Sequence, residues 1–474
     1  MPSQSSKETE NQMSKHYEDF SYWLEDAGEA LDPRPPLSRS KEVDVAILGG
    51  GYSGLWTAYY LLRTQPHLKI AIVEKEIVGY GGSGRNGGWC SPRFPVSASA
   101  LFNRFGILAA RSLLLSVQAS VDEIRDVCQQ EGIDARFRAG GTLSLARTQS
   151  QLTTIRAGYA AYDRLGLADR YRLLSPEEAA ERINVTSVHG ALYTPDGASI
   201  HPGRLVRGLA RAVESRGGII YEQTPVEGLK SGSNAALLTP AGELRAKKAI
   251  ILAGEAYLTR LPRLHRILLP VYSLICLTEP LTSEQWARIG WKEGENVASA
   301  RNTVVYLTKT ADGRILFGSR GAPYSFGSRI SDTQDRHADT VAFIQKSLID
   351  WFPSLAGVRF THAWGGPVGM PRDWMPSVSF DAHSRIGYLG GYTGQGVSTS
   401  NLAGRLLAGM IAGKPTGLES LPLAQRHSPK WPIEPLRYLV VRYMQAAFQR
   451  IDEADEAGRR PPLDAPLAEF LGKH

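Results

Sequence analysis

The 474-residue sequence has little cysteine, no unbroken long apolar run and no dense run of basic residues. Its three cysteines, Cys90, Cys128 and Cys276, are too few and too scattered for a disulfide framework or a metal cluster. The polar opening residues lack the apolar core of a secretory signal. We therefore expect a cytoplasmic protein without a metal site.

Several function classes are disfavoured by what the chain lacks. It contains no nucleophile elbow, no HExxH and no CxxC, which argues against hydrolase, zinc and dithiol chemistry. The longest apolar stretch, residues 43–62, is interrupted by four glycines and is better interpreted as a buried strand and helix than as a membrane span. The net charge of +7 comes with dispersed arginines and no interleaved aromatic platform, so we predict no nucleic-acid partner.

Residues 43–75 have the order that a dinucleotide-binding unit requires: apolar strand, glycine turn, helix, second strand and acid. Gly49 permits the tight turn, Gly51 permits close approach to a pyrophosphate, and Gly54 permits close packing of helix on strand. The helix, at about 53–63, points its N-terminal amides at the phosphates. Glu74, at the end of the second strand, is placed to accept both hydroxyls of an adenosine ribose.

The polar segment that follows favours FAD over NAD, because a nicotinamide enzyme normally continues into another helix. Residues 83–88 instead predict a flexible loop that wraps an extended cofactor, although a plain surface loop has the same composition. The predicted cofactor-binding residues of these two segments are Gly49, Gly51, Tyr52, Ser53, Gly54, Glu74, Lys75, Ser83, Gly84, Arg85, Asn86, Gly87 and Gly88.

A second glycine cluster lies near residue 391. The strand GYLGG is followed by the turn YTGQG and by a helix at about 397–411. The amides at the start of this helix can stabilise negative charge that develops on a flavin ring. The predicted cofactor-binding residues here are Gly391, Gly394, Gln395, Gly396, Val397 and Ser398.

Four motifs occur in a fixed order: GxGxxG, GSGRNGG, WGGPVGMPRDWMP at 364–376 and GYLGGYTGQGVSTSNLAGRLLA at 387–408. Together, over about residues 40–415, they resemble the FAD-dependent D-amino acid oxidase superfamily, nearest the branch of glycine oxidase, sarcosine oxidase and gamma-glutamylputrescine oxidase. The resemblance implies FAD, with a strand running to Val226 near the adenine and Ala253 and Gly254 near the pyrophosphate. It also implies oxidation of the C–N bond of an amine or amino acid to an imine, with oxygen reduced to hydrogen peroxide.

Departures from the sarcosine-oxidase pattern argue against sarcosine as the substrate and against efficient use of oxygen as the electron acceptor. Val397 occupies the position of a lysine that grips the substrate carboxylate. That family has a second lysine, thought to help oxygen react, near Ile315 or Leu316, and the segment GRILFGSR contains no lysine. No cysteine lies within 364–376, so we predict non-covalent FAD. Two alternatives stay open: a dehydrogenase that passes electrons to a carrier and, from another class, a flavoprotein associated with nucleic acid.

The implied fold is α/β, or α+β overall: a Rossmann-like FAD-binding domain interleaved with a sheet-rich substrate domain, plus a helical C-terminal extension. We assign residues 41–95, 196–260 and 359–415 to the FAD-binding domain and residues 96–195 and 261–358 to the substrate domain. Residues 1–40 form an N-terminal extension, and residues 416–474 form the C-terminal one.

Few residues stand out as pocket candidates. We predict catalytic roles for Tyr306, Arg320, His362 and Tyr392, each with a purely structural role as the alternative. The substrate-domain strands also carry Arg301, Arg314 and Arg329, and alternation places Arg314 and Arg320 on one face of a strand. An arginine can bind a carboxylate, phosphonate or phosphate through two hydrogen bonds, which favours a small anionic amine substrate.

The C-terminal extension contains apolar residues at helical spacing, from Leu436 through Leu439 and Tyr443 to Ile451. A basic amphipathic helix of this kind can lie on an anionic membrane or dock on protein. We favour docking against the chain's own surface or another subunit, and the oligomeric state is left open.

Overall fold

The computed structural model describes residues 15–472. Residues 1–14 of the predicted N-terminal extension and residues 473–474 of the C-terminal one lie outside the described residues. The strands within this range are β1 Lys41–Leu48, β2 Ile70–Val73, β3 Trp89–Cys90, β4 Arg138–Ala139, β5 Thr142–Ala146, β6 Arg172–Leu174, β7 Gly190–Thr194, β8 Ala198–Ser199, β9 Ile219–Tyr221, β10 Gly228–Lys230, β11 Ala236–Thr239, β12 Gly242–Leu252, β13 Leu269–Thr278, β14 Asn296–Ser299, β15 Val305–Lys309, β16 Ile315–Arg320, β17 Phe360–Met370, β18 Ser377–Asp381 and β19 Ile386–Gly390.

The helices of the described range alternate with these strands over most of the chain. They are α1 Tyr22–Glu25, α2 Tyr52–Thr64, α3 Gly82–Arg85, α4 Ala98–Phe105, α5 Ile107–Gln130, α6 Gln149–Arg164, α7 Pro176–Ala180, α8 Pro202–Ser215, α9 Ser283–Ile289, α10 Ala338–Trp351, α11 Gly396–Ala412, α12 Leu436–Glu456 and α13 Ala465–Gly472.

The first large sheet has a parallel core in the order β9-β2-β1-β12-β19, with antiparallel β18 beside β19 and the β10-β11 pair beside β12. Apolar side chains cover both faces of β1, as a parallel strand requires. Val45 and Ile47 pack with helices α2 and α11, whereas Ala46 packs with Leu252 on the opposite face. The carboxyl ends of β1, β2, β12 and β19 therefore meet at one edge, where doubly wound sheets bind ligands.

The second large sheet is mainly antiparallel, in the order β17-β13-β16-β15-β14-β5-β7-β6. Its β15 and β16 form the predicted hairpin, in which Tyr306 lies opposite Gly318. Helix α10 packs on β13 and β16 through Ile344, Leu348 and Trp351. The strand Phe360–Met370, which the sequence analysis assigned to the FAD-binding domain, pairs with β13 in this sheet. The chain therefore crosses between the two sheets after β17 and not before it.

Two local expectations differ from the structure. The strand predicted to run to Val226 ends at Tyr221, and Gln223 has a positive φ of 48° that takes the chain out of the sheet. The segment predicted as a flexible loop contains the helical turn α3. Its Arg85 is buried and ion-paired, so this segment is fixed by the protein itself.

The segment before β1 packs over α3 and the residues that follow it. Ser21 Oγ donates to Gly84 O at 2.8 Å, and Trp23 Nε1 donates to Asn86 O at 2.8 Å. The Trp23 side chain is buried against Trp364 of β17. We call residues 21–26 the N-terminal clasp, because they hold the polar segment after β2 against both sheets.

The C-terminal helix α12 docks on the substrate domain through a face that overlaps the predicted stripe only in part: Ala447 of that stripe is buried. The buried carboxylate of Asp452 accepts hydrogen bonds from Asn302 N at 3.0 Å and Thr303 N at 2.7 Å. Leu436 and Leu439 of the predicted stripe stay exposed. The helix is therefore held by polar contacts to the loop before β15 together with apolar packing of Val441 against Trp431 and Met370.

Candidate functional site

A cavity of about 330 Å³ lies between the carboxyl edge of the parallel strands and the second sheet. Most of the predicted cofactor-binding residues line it: Gly49, Gly51, Tyr52, Ser53, Glu74, Lys75, Ser83, Arg85, Asn86, Gly87, Val226, Ala253, Gly254, Gly394, Gln395, Gly396 and Val397. Those that do not line it are Gly54, Gly84, Gly88, Gly391 and Ser398. Three of the four predicted catalytic residues, Tyr306, Arg320 and Tyr392, also line the cavity.

The glycines outside the lining serve close packing around the cavity. A Cβ on Gly54 would overlap Gly49 O, and a Cβ on Gly88 would lie 2.8 Å from Ile200 O. Gly49 itself has a φ of +110°, and its Cβ would lie 2.7 Å from Ala253 O. The glycine motif therefore lets β1, β12 and α2 approach one another closely enough to form the wall of the cavity.

Helix α2 begins at the cavity, and its N-cap residue makes no side-chain cap. Its N-cap is Gly51, and Tyr52 N donates to Ser83 Oγ at 2.9 Å. The first turn of a helix carries unpaired amides and partial positive charge, a combination that binds phosphate. A Cβ on Gly51 would lie 2.9 Å from Ser83 Oγ, so glycine keeps this approach open.

Glu74 lies at the end of β2 with its carboxylate in the cavity wall. Glu74 Oε2 accepts from Gly50 N at 2.8 Å, and Oε1 accepts from Glu76 N at 3.1 Å. Burial raises the pKa of Glu74, and these two amides act in the opposite direction. The amides thus fix the carboxylate where the sequence analysis predicts a ribose contact.

The turn between β19 and α11 forms another wall. Gly394 has a φ of +91°, and the N-cap Gln395 leaves the first turn of α11 without a side-chain cap. Val397 is buried and lines the cavity. Ser398 is turned away, because its hydroxyl donates to Ser91 O. Uncapped amides at this end of the cavity suit an acceptor that gains negative charge.

Glu255 is a cavity residue that the sequence analysis missed. Its Oε2 accepts from Gly391 N at 2.8 Å, and burial raises the pKa of Glu255 to about 7. It has a φ of 46°, in the left-handed region, directly after the carboxyl end of β12. An acidic residue three positions after a buried parallel strand could have been the signal, because ligands bind at that edge.

Arg85 joins the two sheets at the cavity. Arg85 Nη1 pairs with Asp335 Oδ2 at 2.6 Å, and Nη2 donates to Tyr257 OH at 2.6 Å. Burial raises the pKa of Asp335 to about 6, against the opposing effect of Arg85. Its position explains why the segment after β2 is ordered, and only its Nε lacks a partner among the described residues.

The far end of the cavity, which we call the substrate end, is formed by β13, β15 and β16. Tyr306 OH lies 3.1 Å from Ser273 Oγ, and burial raises the pKa of Tyr306 to about 12. The Tyr306 ring fits between Gly87 and Gly318, where a Cβ at either position would overlap it. Tyr392 OH lies 2.8 Å from Ser53 Oγ and thereby links the turn before α11 to helix α2.

Arg320 is the cation of this end. Its Nη2 donates to Thr393 O at 2.5 Å, and burial lowers the pKa of Arg320. Among residues 15–472 no carboxylate lies within 4 Å of its guanidinium nitrogens. An enclosed cation without an acidic partner is costly for the protein alone, which makes Arg320 a candidate for an anionic ligand.

The other candidate side chains lie elsewhere. Arg301 pairs with Glu456 at 3.0 Å, Arg314 pairs with Asp312 at 2.6 Å, and Arg329 is exposed outside the cavity lining. His362 is also outside the lining. Its Nε2 lies 2.8 Å from Glu25 Oε2, at the outer end of β17, so the structure does not bring it to the other predicted catalytic residues.

The groups that line the cavity fit FAD. The N-termini of α2 and α11, a carboxylate at the end of β2 and an aromatic end with a cation line one continuous cavity. None of the three cysteines lines it, and all three are buried. Within the described residues there is no cluster of three or more His, Cys, Asp or Glu side chains that could hold a metal ion.

The chain belongs to the family of FAD-dependent oxidoreductases: the DAO family model, described as FAD dependent oxidoreductase, matches residues 44–410. It is 32% identical over 401 residues to the "Probable oxidoreductase OrdL" of Rhizobium meliloti (strain 1021), which covers 82% of this chain and 87% of that protein. It is 30% identical over 383 residues to the gamma-glutamylputrescine oxidoreductase of Escherichia coli (strain K12), and this match covers 80% of this chain and 86% of that protein. These relatives confirm the resemblance and the FAD prediction.

Solved structures agree on the fold. Glycine oxidase from Geobacillus kaustophilus superposes with a TM-score of 0.67 at 22% identity, over 81% of this chain and 98% of that one. L-proline dehydrogenase from P. horikoshii superposes with a TM-score of 0.66 at 19% identity, over 82% of this chain and 96% of that one. The predicted mixed α/β fold class is therefore confirmed. In the described part of the chain, no helix is both long and apolar enough to cross a membrane.

Proposed function

We propose that this enzyme oxidises the C–N bond of a small amine or amino acid that carries an anionic group. The observation that carries the proposal is Arg320, a partly buried cation without a carboxylate partner, beside Tyr306 at the substrate end. Two relatives are named for gamma-glutamylputrescine and for glycine, and both compounds contain an amine and a carboxylate. A carboxylate, phosphonate or phosphate would satisfy Arg320 through paired hydrogen bonds.

Bound FAD would supply the hydride acceptor for the carbon next to the substrate nitrogen; the protonated imine left by loss of that hydride would add water and separate into a carbonyl compound and a protonated amine, or ammonium from a primary amine. The protein supplies position and charge. The α2 amides would hold the pyrophosphate of the cofactor, and Glu74 would hold the adenosine ribose. Arg320 and the Tyr306 hydroxyl orient the substrate, and the walls exclude bulk water.

The proposed reaction has two candidate electron acceptors, oxygen and an electron carrier. We propose an oxidase that reduces oxygen to hydrogen peroxide. A dehydrogenase is the second candidate, because the lysine that sarcosine oxidase is thought to use for the reaction with oxygen has no counterpart here. Ile315 and Leu316, near its position, are fully buried apolar residues, and the lysine that lines the described cavity, Lys75, lies at the other end. Peroxide production on reoxidation in air distinguishes the two.

The test begins with an anaerobic panel of amines and amino acids, in which flavin absorbance near 450 nm is followed for bleaching. We expect bleaching by at least one anionic amine. Replacing Arg320 by Ala should then raise the KM for that substrate by at least about tenfold, the loss of one charge-assisted contact of roughly 1.4 kcal/mol, with the flavin spectrum unchanged.

Arg329→Ala is the matched control, because it removes an exposed arginine outside the cavity lining. It should leave KM unchanged. A best substrate that is uncharged or polycationic, or an Arg320→Ala enzyme that behaves like the parent, would contradict the proposal.

A further inference from the structure

The cavity contains a second arginine without an acidic partner. Arg93 follows β3 and lines the cavity, and its Nη2 donates to the hydroxyl of Ser144 on β5. Its own amide donates to Ser91 Oγ at 3.1 Å, which fixes the backbone at this position. Among residues 15–472 no carboxylate lies within 4 Å of the Arg93 guanidinium, and its only side-chain hydrogen bond is the one to Ser144.

An aromatic pair lines the cavity together with the two arginines. Tyr306 pairs with Gly318, two residues before Arg320 on β16, and its ring lies 6.0 Å from the ring of Trp89 in an edge-to-face contact. Trp89 precedes Arg93 by four residues, and its Nε1 donates to Leu307 O at 3.1 Å. All four side chains line the same cavity. Aromatic faces can hold a cationic amine.

The acids of the cavity are already engaged. Glu74 accepts two backbone amides, Glu76 accepts from Lys15 Nζ at 2.8 Å, and Glu255 accepts from Gly391 N. None of them pairs with either arginine. The arginine charges are therefore available to a ligand, and a ligand with a single anionic group would leave one of them unpaired.

We propose that Arg93 forms a second anion-binding subsite, so that the substrate carries an anionic group at both ends of the part that contains the reacting amine. The inference rests on the proposed function and narrows its substrate class. Amines that fit are amino dicarboxylates and amino acids whose nitrogen carries a second carboxyalkyl or phosphonoalkyl group. Ser144, a residue of β5, accepts the hydrogen bond that positions the Arg93 guanidinium; it is a positioning residue and not a catalytic one.

Binding of inert anions to the FAD-loaded enzyme tests the subsite without turnover. Malonate, succinate and glutarate are titrated against the flavin absorbance spectrum and compared with acetate, propionate and butyrate. We expect at least one dicarboxylate to bind at least about tenfold more tightly than the monocarboxylates, as one extra charge-assisted contact requires. Arg93→Ala should abolish this preference and leave monocarboxylate binding unchanged, whereas Arg320→Ala should weaken both classes.

Further variants separate binding from folding. Arg93→Lys keeps the charge and should retain part of the preference, and Arg329→Ala should retain all of it. Equal binding of the two anion classes, or an Arg93→Ala enzyme that keeps the preference, would overturn the subsite. If no amine bleaches the flavin although dicarboxylates bind preferentially, the proposed oxidation fails and the subsite remains. If amines bleach the flavin without any dianion preference, the subsite alone fails.

Discussion

Replacing Glu255 by Gln should change how the stability of the protein depends on pH. Glu255 is buried, and its pKa rises from 4.5 to about 7 because of that burial. In the unfolded chain the carboxyl ionises near its ordinary value. Between these two values the folded state binds more protons than the unfolded state, so this group lowers the free energy of unfolding as the pH rises.

The size of the effect follows from the same values. A rise in pKa from 4.5 to about 7 corresponds to about 3 kcal/mol, of which about 2.5 kcal/mol develops between pH 5 and pH 8. Glutamine cannot ionise, so the Glu255→Gln protein should lack this part of the pH dependence. It loses one acceptor oxygen for Gly391 N or Tyr392 N, a cost of about 1 kcal/mol that does not vary with pH.

Urea unfolding followed by tryptophan fluorescence at pH 5, 6, 7 and 8, with the same excess of FAD throughout, measures the difference. The variant should gain about 2 to 3 kcal/mol relative to the parent across this range. Glu284→Gln is the control, since it removes an exposed carboxylate paired only with Arg288. Parallel curves for the parent and Glu255→Gln would show that burial does not hold this carboxyl neutral.

Three further predictions concern the cofactor and the two extensions. Glu74→Ala should weaken FAD binding by about 1.5–3 kcal/mol, measured by flavin fluorescence, and acid denaturation should release intact FAD; flavin that stays with the precipitate would contradict non-covalent binding. Trp23→Ala removes a buried ring of the N-terminal clasp at about 3–5 kcal/mol and should speed FAD release on dilution, whereas Trp23→Phe should largely preserve retention. Asp452→Ala should cost about 3 kcal/mol and expose α12 to limited proteolysis, and Glu453→Ala, at an exposed site, should change neither.

At the glycine-motif end, the sequence predicts which residues line the cavity, because the signal is local. A turn, a helix N-terminus and an acid are separated by short fixed spacings, so Gly49, Gly51 and Glu74 could be placed by counting residues. The start of α11 could be placed in the same way. The hairpin of β15 and β16 also followed from a local signal, the turn at residues 311–313.

The substrate end depends on which segments meet in space. Alternation placed Arg314 and Arg320 on one face, but only the structure shows that Arg314 is paired with Asp312 at the outer end of the strand. Nothing in the sequence indicated that Glu25 would hold His362 away from the cavity. Arg93 was missed for the same reason, because its partner Ser144 lies fifty-one residues later on another strand.

The faces of α12 show a further limit of periodicity. Apolar spacing predicted burial of Leu436 and Leu439, yet Asp452 and Val441 are buried and those leucines are exposed. Helical spacing identifies a stripe, but the partner surface determines which stripe is covered. Here that surface offers backbone amides of Asn302 and Thr303, which a carboxylate satisfies and a leucine cannot.

The two helix N-termini of the cavity lie far apart in the sequence, at Gly51 and Gly396. During synthesis the first is made early, while the second emerges only after both sheets have been completed. FAD can therefore find its full set of contacts only on a nearly finished chain, and once bound it stabilises that folded state by mass action. The yield of correctly folded enzyme in a producing cell should accordingly rise with the supply of flavin.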